Sequence, residues 1–438
     1  MVRRDGRLAC QLPLLQKCEP PPRAAVTPRI DIDRLSAEID SLALLSETPP
    51  PAVTRLVFSK EDQAARKMLG ALFEKAGLEI RVDAVGNTFA RWNGSDPARK
   101  PIATGSHIDA IPNAGKYDGV LGVLGALEAI RALQSSGFQP QAPIEIILFT
   151  SEEPTRFGLG CLGSRLMGSR LSPERAAELR DHDGKSLDEL RAAAGFGSEP
   201  LASVAIPQGN YAAFVELHIE QGPILERENL DIGIVEKIAA PAALRVRFEG
   251  DGGHAGAVLM PDRRDASLGA AETALAVEHL VKSLGSSDGV GTTGIFKIKP
   301  GAINSVPFEA TLEIDIRDTD HSARQAVEES LRSEIREICK RRHLLHEITT
   351  INSDPPAICA PALVEAAESS AREAGFTHRR MVSRAYHDSL FMALIAPIVM
   401  VFIPCRNGWS HRPDEFSSPS QIAKGVEVLA RTLARLAS

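Results

Sequence analysis

The sequence predicts an α/β protein in which one domain is interrupted by a smaller inserted domain. From about residue 101, short apolar segments alternate with helical patterns, which is typical of a sheet covered by helices on both faces. From about 240 to 352 the order of elements changes to β-α-β-β-α-β, the order of a ferredoxin-like domain. We therefore expect residues 30–239 and 354–438 to form the main domain and residues 240–353 to form the insertion.

The elements of the main domain follow from the spacing of its apolar residues. Residues 31–47 and 60–77 carry apolar side chains three and four positions apart, which predicts two helices. Continuous apolar runs further along predict buried strands and one long apolar helix. These are the strands Ile102–Ser106, Ile144–Phe149, Phe214–Leu217 and Ile398–Ile403 and the helix Val120–Leu133. Residues 1–29 are rich in Pro and Arg and have no such pattern, so we expect a disordered tail or an over-long start there.

The insertion contains one segment whose pattern is especially clear. Thr311–Arg317 alternates strictly, which predicts a strand with one apolar face and one polar face. The apolar face carries Leu312, Ile314 and Ile316, and the polar face carries Glu313, Asp315 and Arg317. The other predicted elements are the strands Leu244–Phe248, Gly294–Ile298 and Leu345–Ile351 and the helices Asp265–Val281 and His321–Lys340.

Charge and composition argue against several classes of protein. A formal net charge of -7 gives no basic field that would attract nucleic acid. No apolar run approaches the roughly 20 residues that a membrane-spanning helix needs. The six cysteines are scattered without a CxxC pair, which indicates reduced thiols in an intracellular protein. We therefore expect a cytoplasmic protein without a nucleic-acid or membrane partner.

Five segments with acidic or histidine residues follow predicted strands. They are GSHIDA (105–110), KYDGV (116–120), TSEEPTRFG (150–158), ELHIEQG (216–222) and WSHRPDEF (409–416). In open α/β sheets, ligands collect outside the carboxyl ends of the strands. Five nitrogen and oxygen ligands that converge there suit a pair of divalent cations.

The chemistry of these side chains suggests their roles. Imidazoles are good ligands for zinc or manganese, and one carboxylate, that of Asp118, can bridge two cations through its two oxygens. The predicted ligands of two divalent metal ions per subunit are His107, Asp118, Glu153, His218 and His411. Glu152 then stays unligated as a general base, and Asp109 orients the His107 imidazole. We expect manganese in preference to zinc, although the ligand set suits both.

Nine segments together resemble the hydantoinase/carbamoylase branch of the di-metal aminoacylase and carboxypeptidase clan. They are GSHIDA, GKYDGVLGVLGALEAIRAL, FTSEEPTRFG, ELHIEQGPILE, GGHAGAVLMPDRRDA, KPGAINSVP, LEIDIRD, AYHDS and NGWSHRPDEFSS, and they cover about residues 30–438 in order. The resemblance implies a di-metal catalytic domain, an inserted dimerisation and lid domain, and a homodimer. EEPTRFG, SRAYHDSLFMA and FIPCRNGWSHRP are most similar to plant-type enzymes that act on ureidoglycolate. For a plant-type protein, the endoplasmic reticulum or another organelle is an alternative compartment.

The resemblance implies a reaction and several further residue roles. The expected reaction is hydrolysis of the ureido group of (S)-ureidoglycolate to glyoxylate, ammonia and carbon dioxide in purine catabolism. His254 becomes an oxyanion- or substrate-binding group that reaches the partner subunit's site. The implied substrate-binding residues are Gln221, Asn304, Arg317 and His387. Tyr386 stands where many relatives have Gly, and it is expected to narrow the pocket for a small substrate.

Alternatives remain open at this point. The substrate could be allantoate or an N-carbamoyl amino acid, the activity that of a peptidase or aminoacylase, or the chain a non-catalytic binding homologue. Arg317 could form only a surface ion pair with Asp315 or Asp318. Tyr386 could be a packed core residue, and GGHAG a glycine turn whose His254 faces solvent.

Overall fold

The computed structural model describes residues 27–438, so most of the predicted tail lies outside the described residues. The described residues form seventeen strands: β1 Val53–Arg55, β2 Glu79–Val82, β3 Thr88–Trp92, β4 Ile102–Ser106, β5 Ala110–Ala114, β6 Ile144–Leu148, β7 Ala213–Ile219, β8 Ile232–Ile238, β9 Ala240–Glu249, β10 Gly253–His254, β11 Val290–Lys299, β12 Ser305–Val306, β13 Glu309–Asp318, β14 Leu345–Ser353, β15 Ala357–Ile358, β16 His378–Ser383 and β17 Ile398–Ile403.

The same residues form twelve α-helices: α1 Ile32–Ala43, α2 Lys60–Lys75, α3 Val120–Ser135, α4 Leu162–Met167, α5 Pro173–Ala177, α6 Leu187–Ala193, α7 Ile224–Arg227, α8 Ala266–Leu284, α9 His321–Arg342, α10 Pro361–Glu373, α11 Asp388–Met392 and α12 Pro419–Leu436. Short 3₁₀ helices lie at Leu201–Val204, Met260–Asp262 and Arg406–Gly408. The chain is thus a mixture of helices and strands, as the alternating pattern predicts.

Nine strands form the larger sheet, in the order β15-β8-β17-β7-β4-β6-β3-β2 with β16 also paired to β8. Its four central strands, β17, β7, β4 and β6, are parallel to one another. Every residue of these four strands is buried. Their apolar runs therefore pack on both faces of the sheet, and their carboxyl ends share one edge.

Helix α3 approaches this edge closely because glycine allows it. At Gly122, an added Cβ would lie 2.5 Å from the Cβ of Ser106 and 2.7 Å from the carbonyl oxygen of Leu217. A larger residue would therefore push the helix away from β4 and β7. The close approach brings the residues just before the helix, including Asp118, to the carboxyl edge of the sheet.

Most predicted elements are observed, and β4 and β17 have the predicted bounds. Helix α1 is shorter than predicted, ending at Ala43 and not at residue 47. The hydroxyl of Ser46 accepts hydrogen bonds from the backbone N–H groups of Thr48, at 3.1 Å, and Thr54, at 2.8 Å. This local side-chain bonding offers the backbone an alternative to the helix, and the chain turns towards β1.

The second sheet is formed by residues of the predicted insertion. Its order is β11-β13-β9-β14, with neighbouring strands antiparallel. Buried and partly exposed residues alternate along β13, as the sequence predicts. The apolar face of this sheet packs with helices α8 and α9 in a core separate from that of the larger sheet. The polar face is left free to line a cleft.

The chain passes between the two sheets at Ala240 and at Asp354, and a single buried side chain joins the two crossings. Arg324 of α9 donates hydrogen bonds to the carbonyl oxygens of both residues, at 2.8 Å for Ala240. The carboxylate of Asp354 in turn pairs with Arg165 of α4 at 2.6 Å. The position where the two sheets are connected is therefore held by the Arg324 hydrogen bonds and by the Arg165–Asp354 ion pair.

The helices and the cysteines of the described residues bear on the expectations from composition. Across residues 27–438, the helices are too short or too polar to span a membrane. The four cysteines in this range, Cys161, Cys339, Cys359 and Cys405, are buried free thiols. Burial raises the pKa of the Cys359 and Cys405 thiols to about 12, so these two stay protonated.

Candidate metal centre

The predicted metal ligands converge at the carboxyl edge of the larger sheet. His107 follows β4 directly, and His218 lies within β7, one residue before its end. Glu153 lies in the loop after β6, and His411 in the loop after β17. Asp118 precedes α3 and completes the cluster. Segments far apart in the chain thus deliver nitrogen and oxygen atoms to one place.

The two oxygens of Asp118 face different imidazoles. Oδ1 lies 3.2 Å from Nε2 of His218 and 3.6 Å from Nε2 of His107. Oδ2 lies 3.2 Å from Nε2 of His411, which is also 3.3 Å from Oε1 of Glu153. The atoms form two ligand groups, each within 4.8 Å, that share Asp118. One carboxylate shared between two such groups can serve two neighbouring cations through its two oxygens.

Hydrogen bonds to the backbone fix the orientation of the two buried imidazoles. Nδ1 of His107 lies 3.0 Å from the carbonyl oxygen of Asp109, and Nδ1 of His218 lies 2.9 Å from that of Ile219. A carbonyl only accepts, so each Nδ1 carries a proton, and in the neutral ring each Nε2 offers a lone pair. The backbone N–H of Gly119 donates to Nε2 of His218 at 3.2 Å, which agrees with this tautomer.

Asp109 orients the site differently from the expectation. Its backbone carbonyl, and not its carboxylate, accepts the hydrogen bond from His107, because Oδ1 is 3.8 Å from Nδ1. The carboxylate accepts hydrogen bonds from the backbone N–H groups of Glu152, at 3.2 Å, and Glu153, at 2.9 Å. Asp109 therefore positions the acidic loop as well as the imidazole.

The protonation of the cluster fits a cation-binding donor set. Burial by itself would raise the pKa of the Asp118 carboxyl, but hydrogen bonds from three imidazoles hold it well below its usual range. Hydrogen bonds to Asp118 and Glu153 raise the pKa of His411 to about 11. Protons on the imidazoles thus neutralise the negative charge of the buried carboxylates, a role that bound divalent cations would take over. The donor atoms, their tautomers and the shared carboxylate fit two divalent cations.

A small cavity of about 210 Å³ opens beside these ligands. It is lined by His107, Ile111, Asp118, Glu152, Glu153, Pro154, Gln221, Arg317, Ala385, Tyr386, His387 and His411. Four predicted substrate residues, Gln221, Arg317, Tyr386 and His387, are among them. The general-base candidate Glu152 is 7% exposed, and burial raises the pKa of its carboxyl well above the usual range. Glu152 is not in either ligand group, so it can exchange protons with a molecule in the cavity.

Arg317 lines this cavity and also forms an ion pair with a neighbouring aspartate, which was the alternative role considered for it. Its partner is Asp315, with 2.9 Å between Nη2 and Oδ2. The guanidinium lies 5.5 Å from the centre of the half-buried Tyr386 ring. The Tyr386 hydroxyl fits against Gly160, where an added Cβ would be only 2.1 Å from it. Tyr386 thus occupies space at the cavity wall that the absent side chain of Gly160 leaves free.

Gln221 and His387, the other two predicted substrate residues in the lining, contact the metal-ligand candidates. Nε2 of Gln221 donates a hydrogen bond to Oδ2 of Asp118 at 2.8 Å. The His387 ring lies 4.5 Å from the His218 ring, and its Nε2 is 3.1 Å from the Ser383 hydroxyl. Burial and the neighbouring His218 hold the pKa of His387 well below its usual range. His387 is therefore a neutral imidazole at the cavity wall.

His254 and Asn304 are not among the residues that line the cavity of their own chain. Both are exposed. His254 is paired with Ser305 in the short β10–β12 ladder, and Asn304 directly precedes β12. The backbone N–H of Ala255 donates to the carbonyl of Asn304 at 2.9 Å, so the two loops are joined. Of the predicted site residues, these two stand apart from the rest within a single chain.

Glu415 and Ser410 contact the metal-ligand candidates but were not predicted from the sequence, although both lie in the WSHRPDEF segment. The Ser410 hydroxyl lies 2.7 Å from Oδ2 of Asp118 and 3.0 Å from Oε2 of Glu415. Glu415 is buried, and burial raises the pKa of its carboxyl to about 7. The sequence does show an acidic residue, Glu415, four positions after the candidate ligand His411. It does not show that Glu415 contacts the segment of Asp118.

The fold and the two ligand groups are those of a class of hydrolase. The family model of Peptidase family M20/M25/M40 matches residues 103–435, and the chain belongs to that family. The ureidoglycolate hydrolase of Oryza sativa subsp. japonica is 53% identical over 411 residues, covering 93% of this chain and 85% of that protein. The crystal structure of AtUAH in complex with glyoxylate matches with a TM-score of 0.87 and 51% identity, covering 94% of this chain and 99% of that one. A hydantoinase/carbamoylase family amidase from Burkholderia vietnamiensis matches with a TM-score of 0.86 and 33% identity, covering 94% and 99%. The family resemblance inferred from the motifs is thus confirmed.

Proposed function

We propose that this protein is a metal-dependent amidohydrolase that cleaves the ureido group of (S)-ureidoglycolate. The observation that carries the proposal is the sharing of Asp118 between two ligand groups beside a small cavity that contains the acidic Glu152. Relatives that bear the name ureidoglycolate hydrolase, at 53% and 51% identity, support this choice of substrate. The products would be glyoxylate, ammonia and carbon dioxide.

Two divalent cations fit the ligand groups. His107, Asp118 and His218 would hold one, and Asp118, Glu153 and His411 would hold the other. Bound there, such cations lower the pKa of water and polarise a carbonyl group. The imidazole and carboxylate donors suit both manganese and zinc, and we propose manganese first.

Glu152 would act as general base and then as general acid. It accepts a proton from the attacking water as the new C–O bond forms at the ureido carbonyl carbon. It returns this proton to the terminal nitrogen, the C–N bond breaks, and ammonia leaves. The remaining carbamate loses carbon dioxide to give hydroxyglycine, which collapses to glyoxylate and a second ammonia. A carboxyl group whose pKa is raised by burial holds the transferred proton well.

The wall of the cavity would select the substrate. Arg317 offers a planar fork of donors to the substrate carboxylate. Tyr386 lines the cavity of about 210 Å³, whose small size favours ureidoglycolate over the bulkier allantoate. His387 would donate or accept a hydrogen bond in its neutral form, and Gln221 would bind substrate next to Asp118.

Residues 240–353 would form a ferredoxin-like dimerisation and lid domain inserted into a catalytic domain of residues 30–239 and 354–438. Large apolar side chains of this unit are exposed, including Leu259, Met260 and Ile303 beside the β10–β12 ladder. Large exposed apolar side chains of this kind suit a partner surface. In a C₂ homodimer, His254 and Asn304 would enter the partner subunit's cavity, and His254 would stabilise the oxyanion.

The test is hydrolysis of a panel of substrates by the purified full chain. The protein is stripped with a chelator, loaded with manganese or zinc, and given ureidoglycolate, allantoate or carbamoyl amino acids. Ammonia and glyoxylate are then measured. We expect the highest kcat/KM with (S)-ureidoglycolate and no turnover before loading. A higher kcat/KM with allantoate would refute the substrate but leave the metal centre intact.

A further inference from the structure

We propose that Asp315 is a positioning residue that decides which edge of the Arg317 guanidinium recognises the substrate carboxylate. The inference rests on the proposed function, in which Arg317 binds that carboxylate. Asp315 itself is absent from the lining of the small cavity and reaches the substrate only through Arg317. Its role would be to hold the recognition group and not to touch the reacting atoms.

The observation is a two-point contact along one edge of the guanidinium. Nε of Arg317 lies 3.0 Å from Oδ1 and 3.2 Å from Oδ2 of Asp315, and Nη2 lies 2.9 Å from Oδ2. A guanidinium carries five N–H donors in one plane. Asp315 occupies the edge formed by Nε and one N–H of Nη2. The edge formed by Nη1 and the other N–H of Nη2 remains, and it presents two parallel donors of the kind that bind a carboxylate.

The strand holds this pair in register. Asp315 and Arg317 lie two residues apart on the polar face of β13, while Ile314 and Ile316 are buried on the opposite face. A shift of one residue would expose the isoleucines, so the pair cannot exchange faces. The centre of the Tyr386 ring lies 5.5 Å from Cζ of the Arg317 guanidinium. The plane of the fork is thus restrained by the carboxylate at one edge and the ring nearby.

The position of the pair suits the capture of an anion. A larger cleft of about 870 Å³ lies between the two sheets, and both Asp315 and Arg317 line it. Arg317 and Tyr386 line this cleft and also the small cavity, so they stand at the boundary between the two. A carboxylate that moves from the cleft into the cavity would meet the free edge of the guanidinium there.

The other charged residues that line the larger cleft, Glu313 and Arg384, are already paired. Glu313 accepts from Nε of Arg245 at 2.9 Å. Nη2 of Arg384 lies 2.8 Å from Asp288. Asp315 is therefore the carboxylate of this face that bonds Arg317, and Glu313 provides a matched control on the same strand and face.

Orientation and net charge predict opposite results when Asp315 is removed. If Asp315 only neutralises Arg317, then Asp315→Ala leaves a freer positive charge, and the carboxylate substrate binds more tightly. If Asp315 positions the fork, the long Arg317 side chain regains its rotamer freedom, and the substrate binds more weakly. The sign of the change in KM distinguishes the two roles.

The experiment compares Asp315→Ala, Asp315→Asn and Glu313→Ala in the metal-loaded full chain. The substrate is whichever member of the panel the wild type hydrolyses, so failure of the ureidoglycolate assignment is seen in the wild type itself. We expect Asp315→Ala to raise KM roughly tenfold with a smaller change in kcat, as for loss of a charged hydrogen-bond partner. Asp315→Asn, which keeps one acceptor, should recover part of the loss, and Glu313→Ala should leave KM unchanged.

A double substitution tests whether Asp315 acts through Arg317. Arg317→Ala with Asp315→Ala should be no worse than Arg317→Ala alone, because the positioned group is already gone. Metal content and melting temperature of each variant establish that the fold is intact. An unchanged or lower KM in Asp315→Ala, or losses that multiply in the double variant, would overturn the proposal.

Discussion

The Glu415 carboxylate accepts a hydrogen bond from the backbone N–H of Asp118 at 3.1 Å, across 297 positions of the chain. The same oxygen accepts from the N–H of Tyr117 at 2.8 Å. Gly115 permits this contact, because a Cβ there would be 2.4 Å from the Glu415 side chain. The segment that carries the shared carboxylate is thus held by the segment that carries His411.

This contact predicts different effects for two substitutions of Glu415. Glu415→Gln keeps an oxygen that can accept both backbone hydrogen bonds, so it should retain metal and fold. Glu415→Ala leaves two buried N–H groups without a partner, which costs about 1–3 kcal/mol for each. We expect the alanine variant to melt at a lower temperature and to retain less metal after dialysis. Equal metal retention in both variants would show that Glu415 does not hold the Asp118 segment.

The sharing of Asp118 predicts how many metals each variant binds. Asp118→Asn removes a charge from both ligand groups, so both cations should be lost or weakened together. His411→Ala disturbs only one group and should leave one cation per subunit. The measurement is elemental analysis of metal per subunit after gel filtration. One retained metal in Asp118→Asn would contradict a bridging role.

Glu152→Gln should separate metal binding from catalysis. The substitution preserves the shape of a side chain that is not in either ligand group, and it removes the proton acceptor. We expect two bound metals and a loss of turnover of roughly 10²–10⁴-fold. Near-normal turnover, or loss of a metal, would argue against Glu152 as the general base.

The position of His254 outside its own cavity predicts complementation between subunits. Homodimers of Glu152→Gln and of His254→Ala should each be nearly inactive. In a mixed dimer, a His254 that acts in the partner's site leaves one site with both groups intact. Ammonia release should then recover to about half of the wild-type activity per dimer. Background activity in mixtures that have exchanged subunits would refute a shared site.

Asp388 predicts a pH dependence for the stability of the metal-free protein. Burial, with Glu216 nearby, raises the pKa of this carboxyl from 3.8 to about 8. The folded protein binds this proton more tightly than the unfolded chain does, so the stabilisation is complete below the unfolded pKa and is lost as the pH rises to the folded pKa. Asp388→Asn stays neutral and lacks this loss.

The measurement is the melting temperature of both proteins from about pH 5 to about pH 8. The wild type should lose stability relative to Asp388→Asn by at most about 1.4 kcal/mol per pH unit. Parallel curves across this range would mean that Asp388 is ionised in the folded protein.

The sequence indicated that the candidate ligands lie near one edge of a sheet, because the position of each depends on local information. A buried apolar run marks a strand, and the polar residue that follows it must lie at the edge of the sheet. His107 after β4 and Glu153 after β6 were readable in this way. The element order of the second sheet was readable too, since period-two and helical patterns are properties of single segments.

The contacts between segments needed the tertiary structure. The Asp109 carboxylate bonds the loop of Glu152 and Glu153, although its spacing from His107 suggested the imidazole as its target. Sequence spacing cannot determine which of two acceptors on one residue a ring nitrogen reaches, because the two differ by less than 1 Å in distance, 3.0 Å against 3.8 Å.

By itself, the sequence determined the residue types available for metal binding and the strands that carry them, because side-chain chemistry and apolar periodicity are local. Only the tertiary structure decided that Glu415 holds Asp118, that Asp315 occupies one edge of Arg317, and that His254 lies away from its own cavity. These relationships depend on the packing of segments that are distant in the chain, or on the rotamers of single side chains. Neither leaves a periodic pattern in the sequence.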